Sequence, residues 1–233
     1  MITGPIIAEI AALIGDPARA TMVSALLDGR ALTASELAAA ARITPQTAST
    51  HLAKLTEAGV LSALRSGRRR YFRLALPAVA DMLDGIVAVA LARRPHHRPL
   101  SRQARALSAA RICYHHLAGR LSVDLIDSFV AHEYLVLDDA VAEITSAGSR
   151  FLTAFGVPLP PRRSPRRHLC RLCLDWTERR PHLAGALGAA ITERCFDLGW
   201  IERAARSQAV IVTPSGRRGF QDTFRINAAG ASR

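Results

Sequence analysis

The 233-residue chain carries one lysine, Lys54, although Lys and Arg together number 31 against 19 Asp and Glu. Nearly all of its formal net charge of +12 is therefore guanidinium. Arginine makes paired hydrogen bonds to phosphates and guanine edges, so the balance favours a polyanionic partner. Cysteine is scarce too: four residues cannot staple a chain of this length, and a reducing cytosol fits better than a secreted disulfide scaffold. Long hydrophobic runs are missing. Residues 85–92 make a run of eight and residues 183–191, glycines included, one of nine, against the roughly 20 that span a bilayer. No basic stretch opens the chain, so neither a signal peptide nor a membrane partner is expected. The chain also lacks a phosphate-binding loop, a His-Glu-x-x-His pair and a Gly-x-Ser-x-Gly elbow. His132-Glu133 and Asp138-Asp139 fall on a polar turn where such groups are solvated, so no catalytic residue is expected and no enzyme. What is present is enough apolar material, 49% of residues, to exclude disorder.

Composition divides the chain into three stretches. Residues 5–91 are apolar-periodic, residues 92–102 are an Arg/Pro/His-rich linker, and residues 103–228 form a second compact region broken by a Pro/Arg loop at 158–168. The second region repeats itself. His116-Leu-Ala-Gly119 recurs as His182-Leu-Ala-Gly185, an offset of 66, and Tyr134 pairs with Trp200 in the same register. Thr145-Ser-Ala-Gly148 matches Thr213-Pro-Ser-Gly216 at an offset of 68. Each copy, about 111–157 and 177–226, reads as helix, turn, helix and a strand pair closed by the Thr-x-x-Gly turn. The expected fold is mainly α with small β wings: an N-terminal winged helix-turn-helix followed by two degenerate winged-helix repeats.

Local signals in the first stretch agree with one another. Asp16-Pro17 is an N-cap followed by proline and opens a helix that Gly29 stops. Thr33-Ala-Ser-Glu36 is a capping box for a short helix to Ala41. After a tight turn, Thr44-Pro45 starts a second helix ending near Gly59, which completes a helix-turn-helix. Ala48, Leu52 and Leu55 form its buried stripe. Gln46, Thr47, Ser49, Thr50, His51 and Lys54 are left as candidate DNA contacts, small polar groups suited to base edges and phosphates in a major groove. A hairpin over residues 60–74 carries Arg65, Arg68, Arg69 and Arg70 at its tip, within reach of neighbouring phosphates or the minor groove. A charge run is usually no more than a solvated face. Its place one hairpin after this helix argues for DNA.

Taken in order, Ile10-Ala-Ala-Leu-Ile-Gly-Asp-Pro-Ala-Arg19, Glu36-Leu-Ala38, Thr47-Ala-Ser-Thr-His-Leu-Ala-Lys-Leu-Thr-Glu-Ala-Gly59 and Gly67-Arg-Arg-Arg-Tyr71 resemble the ArsR/SmtB winged-helix repressors over residues 5–91. The resemblance implies a cytoplasmic homodimer on an inverted-repeat operator, released when an inducer binds and needing no cofactor to bind DNA. Longer relatives similar to the second region are grouped with metal-responsive regulators. A dimer is also suggested by the helix over 77–91, where Val79, Met82, Leu83, Ile86, Val87 and Ala90 make one broad apolar face. That face either packs on its own module or covers a second copy. In a dimer, recognition helices about 34 Å apart read two half-sites.

The family's known thiol motif is missing, because residues 36–41 hold no Cys, and Asp84 with His97 gives only half of its dimer-helix site. All the thiols lie in the second region. Ser164-Pro165 predicts a helix on which Cys170 and Cys173 share a face, near Arg166, Arg167 and Arg171, which favour thiolate. With Cys113 they make a candidate three-sulfur site for a thiophilic inducer ion of the cadmium, lead or arsenite type. The same cysteines could simply pack as small hydrophobes, as Cys195 does between Ile191 and Leu198. Two further readings stay open: a reversible Cys170–Cys173 disulfide acting as a redox switch, and a small apolar ligand between the repeats. His115, His116 and His168 read as surface or capping histidines. Arg162, Arg163, Arg217 and Arg218 leave room for extra DNA contact.

Overall fold

The computed structural model describes residues 4–92, 101–138, 141–159, 170–205 and 207–228. The chain forms two compact units, 1–84 and 85–233, with the division inside a helix rather than at the linker expected over 92–102. Residues 93–100, 139–140 and 160–169 lie outside the described set, and with them His97, Asp139, the Ser164-Pro165 cap, His168 and the arginines at 162, 163, 166 and 167.

In the first unit, α1 (Gly4–Ile14) and α2 (Pro17–Ser24) precede β1 (Leu32–Thr33), α3 (Ala34–Ala41), α4 (Pro45–Glu57), β2 (Leu61–Ser66), β3 (Arg69–Leu74) and the first half of α5 (Pro77–Ala92), the helix in which the division falls. The strands form one antiparallel sheet in the order β1-β3-β2. Side-chain oxygens set the helix starts, because the first N–H groups of a helix have no partner within it. Asp16 accepts from Arg19 N at 2.9 Å. Thr33 and Glu36 close a reciprocal box: Glu36 N donates to Thr33 Oγ1, and Thr33 N donates to Glu36 Oε2 at 2.8 Å. Thr44 caps α4 by accepting from Thr47 N at 3.2 Å. Arg42, left-handed at φ 55°, turns the chain between α3 and α4. The core is Met22, Val23, Leu26, Leu37, Ala48, Leu52, Leu55, Leu61, Phe72 and Leu74. The stripe predicted on α4 is the buried one. Two elements were not anticipated: β1, which adds an edge to the hairpin, and α1, an apolar helix with no buried residue.

The second unit runs α6 (Arg102–Ala109), β4 (Arg111–Cys113), β5 (His116–Ala118), α7 (Arg120–Ala131), β6 (Leu135–Asp138), β7 (Val141–Ile144), α8 (Ser146–Phe155), β8 (Arg171–Leu174), β9 (Pro181–Ala184), α9 (Gly185–Asp197), β10 (Ile201–Arg203), β11 (Val210–Val212) and α10 (Pro214–Phe224). After α6 the order hairpin, helix, hairpin, helix occurs twice. The copies interlock. The second hairpin of the first copy extends into the first hairpin of the second, giving the sheet β6-β7-β8-β9. In return Arg111 bridges Ala209, so β4 meets the β10–β11 pair. The matching bonds are Ala142 N to Cys170 O at 3.1 Å and Val210 N to Ala110 O at 2.9 Å. Helix α7 packs on β9 and α9 on β5, so each helix sits on the other copy's hairpin.

This layout corrects the winged-helix expectation for the second region. Hairpins β4–β5 and β8–β9 stand where a helix and turn were expected, and the second copy starts at 171 rather than 177. Strands this short show no alternation in sequence, and the contacts that join one hairpin to the next, β7 to β8 and Arg111 to Ala209, cross between copies. The Thr-x-x-Gly segments do not close strand pairs. Thr145 and Thr213 cap α8 and α10, accepting from Gly148 N and Gly216 N at 2.9 Å each. Glycine is required there because a Cβ would stand 2.1 Å from Tyr134 O and 2.0 Å from Trp200 O. Residues 171–174 are strand, not the helix that placed Cys170 and Cys173 on one face. Along a strand, residues three apart point to opposite faces.

Candidate nucleic-acid interface and thiol–imidazole cluster

The N-terminal unit presents one polar row. Gln46, Thr47, Ser49, Thr50 and Lys54 are exposed on α4, opposite the buried Ala48, Leu52 and Leu55. The hydroxyls are parked on nearby acceptors: Ser49 Oγ donates to Pro45 O at 2.9 Å and Thr50 Oγ1 to Gln46 O at 3.3 Å. A ligand in front of the helix can take these bonds over by rotation of the hydroxyl. His51 does not join the row. It is half-buried, its Nδ1 3.2 Å from Arg19 Nη1 and its Nε2 4.0 Å from Asp16 Oδ1, so it ties α4 to the start of α2.

Beyond α4, hairpin β2–β3 turns at Gly67, which takes φ 58°. Arg65 faces Arg70 across the strands, and Ser66 faces Arg69. Arg65, Arg68, Arg69 and Arg70 are all exposed. Like charges directly opposed on a hairpin repel. A polyanion laid across the tip relieves that repulsion and releases its own counterions.

The second unit gathers its thiols and histidines differently from expectation. Cys113 pairs with His116 across β4–β5, and Cys173 pairs with His182 across β8–β9. The packed hairpins bring Sγ of Cys113 and Cys173 and a ring nitrogen of His116 and His182 within 4.8 Å of one another. The two Nε2 atoms stand 3.0 Å apart. Cys113, His116 and His182 are buried while Cys173 is half-buried, so one corner of the cluster opens outward. Cys170 is not part of it: fully buried in the apolar core, it lies among the residues packed around Leu183 and Ile191, as does Cys195.

Beneath the cluster lies Asp175, fully buried and shared between the copies. Arg111 Nη2 donates to its Oδ2 at 3.0 Å, Gly119 N to Oδ2 at 2.6 Å, and Thr177 N and Glu178 N to Oδ1 at 2.8 and 3.1 Å. The Arg111 guanidinium, itself 2% exposed, lies 4.2 Å above the Trp176 ring. His182 Nδ1 stands 3.5 Å from Asp175 Oδ2, too far for a hydrogen bond, and has no other partner.

Comparison with known proteins gives the family. Residues 14–62 match a helix-turn-helix domain. The HTH-type transcriptional regulator YdfF of Bacillus subtilis (strain 168) is 40% identical over 222 residues, spanning 95% of this chain and 98% of that protein. The chain belongs to the HTH-type transcriptional regulators. Among solved structures, a homodimeric winged helix-turn-helix fragment of Mb0332 from Mycobacterium bovis is 26% identical, covering 42% of this chain and 89% of that one, with a TM-score of 0.37. The AntR antimony-specific transcriptional repressor is 28% identical over 41% of this chain and 89% of that one, with a TM-score of 0.34.

The regulator is not an enzyme, and its most strongly perturbed groups lie in the thiol–imidazole cluster and the core. The Cys113 thiol beside Cys173, aided by His116 and His182, outweighs burial and holds the Cys173 thiol well below the ordinary range. Burial alone pushes Cys170 up to about 12, a thiol that stays protonated and inert. Burial would likewise raise the Asp175 carboxyl, but Arg111 and the donors from Thr177, Gly119 and Glu178 hold it at about 2. The two histidines are what sequence reasoning missed, with His116 assigned to the surface. A signal for them exists: Arg111-Ile-Cys113 recurs as Arg171-Leu-Cys173 at an offset of 60, while the histidines recur at 66. Six more residues separate the cysteine from the histidine in β8–β9, which hides the common register. Among the described helices, none is long and apolar enough to cross a membrane.

Proposed function

We propose that this regulator is a homodimeric repressor that holds an inverted-repeat operator through α4 and the β2–β3 tip, and lets go when a thiophilic ion binds its second unit. The observation that carries the DNA half is the exposed row of Gln46, Thr47, Ser49, Thr50 and Lys54 beside an arginine-tipped hairpin. Small polar groups read bases, and guanidinium groups anchor phosphates. Dimer formation is supported by unspent apolar surface: Ile6 and Ile7 on α1 are 56% and 61% exposed, and Ile86 and Val89 on α5 are 48% and 67% exposed. The sensor half is supported by the meeting of Cys113 and Cys173. DNA binding itself needs no cofactor.

Fluorescence anisotropy on fragments of the upstream promoter tests both halves. Reversing charge at Lys54, Arg68, Arg69 and Arg70 together is expected to abolish retention at low ionic strength. Retention that survives overturns the DNA-binding surface. Cadmium is expected to weaken operator binding by the wild type and not by Cys173→Ser. Operator affinity that ignores a saturating ion overturns the sensor. A second reading rests on the same short separation: peroxide oxidises the Cys113 and Cys173 thiols to a disulfide and is itself reduced to water. It is marked by the loss of two hydrogens in mass with no bound ion. An apolar effector fits less well, because the cavity of about 350 Å³ beside α6 and α7 is lined by Arg105, Arg120 and Asp124 as well as Leu121.

A further inference from the structure

We infer that Cys113, His116, Cys173 and His182 are the four ligands of one tetrahedral site for a divalent cation of the zinc, cadmium or cobalt kind, built half by each copy of the repeat. The inference deepens the sensor reading above, since it names the class of ion, but the site stands or falls by its own measurement.

Four observations converge. The first is size. With metal–sulfur bonds of about 2.3 Å and metal–nitrogen bonds of about 2.0–2.1 Å, a tetrahedron has edges of roughly 3.8 Å between sulfurs and roughly 3.3 Å between nitrogens. All four donor atoms lie within 4.8 Å of one another, and the two Nε2 atoms are 3.0 Å apart. The second is orientation. The imidazoles point their Nε2 atoms at each other, and the Nδ1 of the 1% exposed His182 faces Asp175 Oδ2 at 3.5 Å without another partner. A proton on Nδ1 directed at a fixed carboxylate leaves the Nε2 lone pair free for a cation, which is how metal-binding histidines are usually held. Asp175 is fixed by Arg111 and three backbone N–H groups, so the carboxylate that would receive this proton is in place before any ion arrives.

The third observation is charge. Two thiolates and two neutral imidazoles balance a divalent ion, so no net charge is left in a buried place. The fourth is the sulfur count. Arsenite and antimonite take three thiolates, and here only two sulfurs meet. Cys170 and Cys195, each 0% exposed, stay in the apolar core. The donor set therefore selects a tetrahedral divalent ion over a trivalent metalloid. The half-buried Cys173 gives the ion its way in.

The test is titration of the reduced, full-length protein with Co²⁺ under nitrogen. Tetrahedral coordination is expected to appear as intense visible ligand-field bands with near-ultraviolet thiolate-to-cobalt charge transfer. Both should saturate at one equivalent per chain and be erased by Zn²⁺. Cys113→Ser and Cys173→Ser should each weaken binding at least tenfold and lose part of the charge-transfer band. Cys195→Ala, outside the site, should keep the full spectrum and shows what a change in the core does by itself. Should a serine variant fail to fold, X-ray absorption on the Zn²⁺-loaded wild type decides, with two sulfur and two nitrogen neighbours expected. No cobalt bound, a pale octahedral spectrum, or a three-sulfur shell overturns the site. An intact two-sulfur, two-nitrogen spectrum together with unchanged operator affinity supports the site and removes the sensor instead.

Discussion

The two units reach stability by opposite routes. In the first, α2, α3 and α4 announce their own starts: Asp16, Thr33 and Thr44 cap within three residues, and Pro17 and Pro45 follow two of those caps. Among the described residues its core is apolar but for Asp84 and for Asp28, which pairs with Arg30 two residues away. In the second unit the decisive bonds are long-range. Arg111 reaches Asp175 across 64 residues, His116 reaches His182 across 66, and Leu117 N donates to Thr192 Oγ1 across 75. One unit exposes its polar chemistry, and the other buries it. The lesson is that a DNA surface needs only a well-capped helix held outward, whereas a ligand pocket needs parts of the chain that are far apart to agree.

Mutation can widen or erase this contrast. The largest loss is expected from Asp175→Asn or Arg111→Met, because either leaves a buried charge without its partner, at about 3–5 kcal/mol. Urea unfolding followed by Trp176 and Trp200 fluorescence reports it, since both tryptophans lie in the second unit. The double variant Arg111→Met with Asp175→Leu should recover part of the loss. If the double variant is no better than the singles, the pair is not the source. In the first unit the counterpart is Leu52→Ala, which opens a cavity under α4 worth about 2–5 kcal/mol. Its readout is operator affinity and helix signal together.

Smaller effects follow at the surface. Thr33→Ala removes half of the capping box and should cost about 1 kcal/mol. The hydroxyl and the N–H of Thr33 hold the Glu36 carboxyl below the usual glutamate range. A depressed acid contributes stability above its unfolded value and loses it as the pH falls, so this contribution should fade in the wild type below about pH 4.5. Thermal melts of wild type and Thr33→Ala from pH 7 to 3 should converge at the acid end; parallel curves contradict the box. Least of all, Arg180→Ala should move stability by under about 1 kcal/mol, since the Arg180–Asp127 ion pair is 53% and 47% exposed. A larger shift would make surface charge part of the second unit's stability after all.

The contrast also explains what the sequence disclosed. The helix-turn-helix was legible to within a residue or two because its signals are local: Thr44 and Pro45 mark the start of α4 and Gly59 its end. The exposed polar row of α4 was legible for the same reason, except for His51, whose partners Arg19 and Asp16 lie a whole helix away. In the second unit the repeat was visible through His116-Leu-Ala-Gly119, but not its strands, which have three or four residues and form hairpins too short to alternate visibly. Cys170 looked equivalent to Cys173 because sequence spacing does not record which side of a strand a residue takes. His116 looked like a surface group because its burial comes from His182, and nothing near it in the chain foretells that.

The interlocked strands of the second unit carry one more consequence. A lone copy, cut out at the segment joining α8 to β8, would keep an unsatisfied sheet edge and half of every polar contact at the axis. Such a fragment should stay unstructured until it meets its twin, and mixing the two separately expressed pieces should restore a folded body at a rate that rises with concentration. What is now an intramolecular axis thus has the anatomy of a tethered pair, with the tether standing in for association.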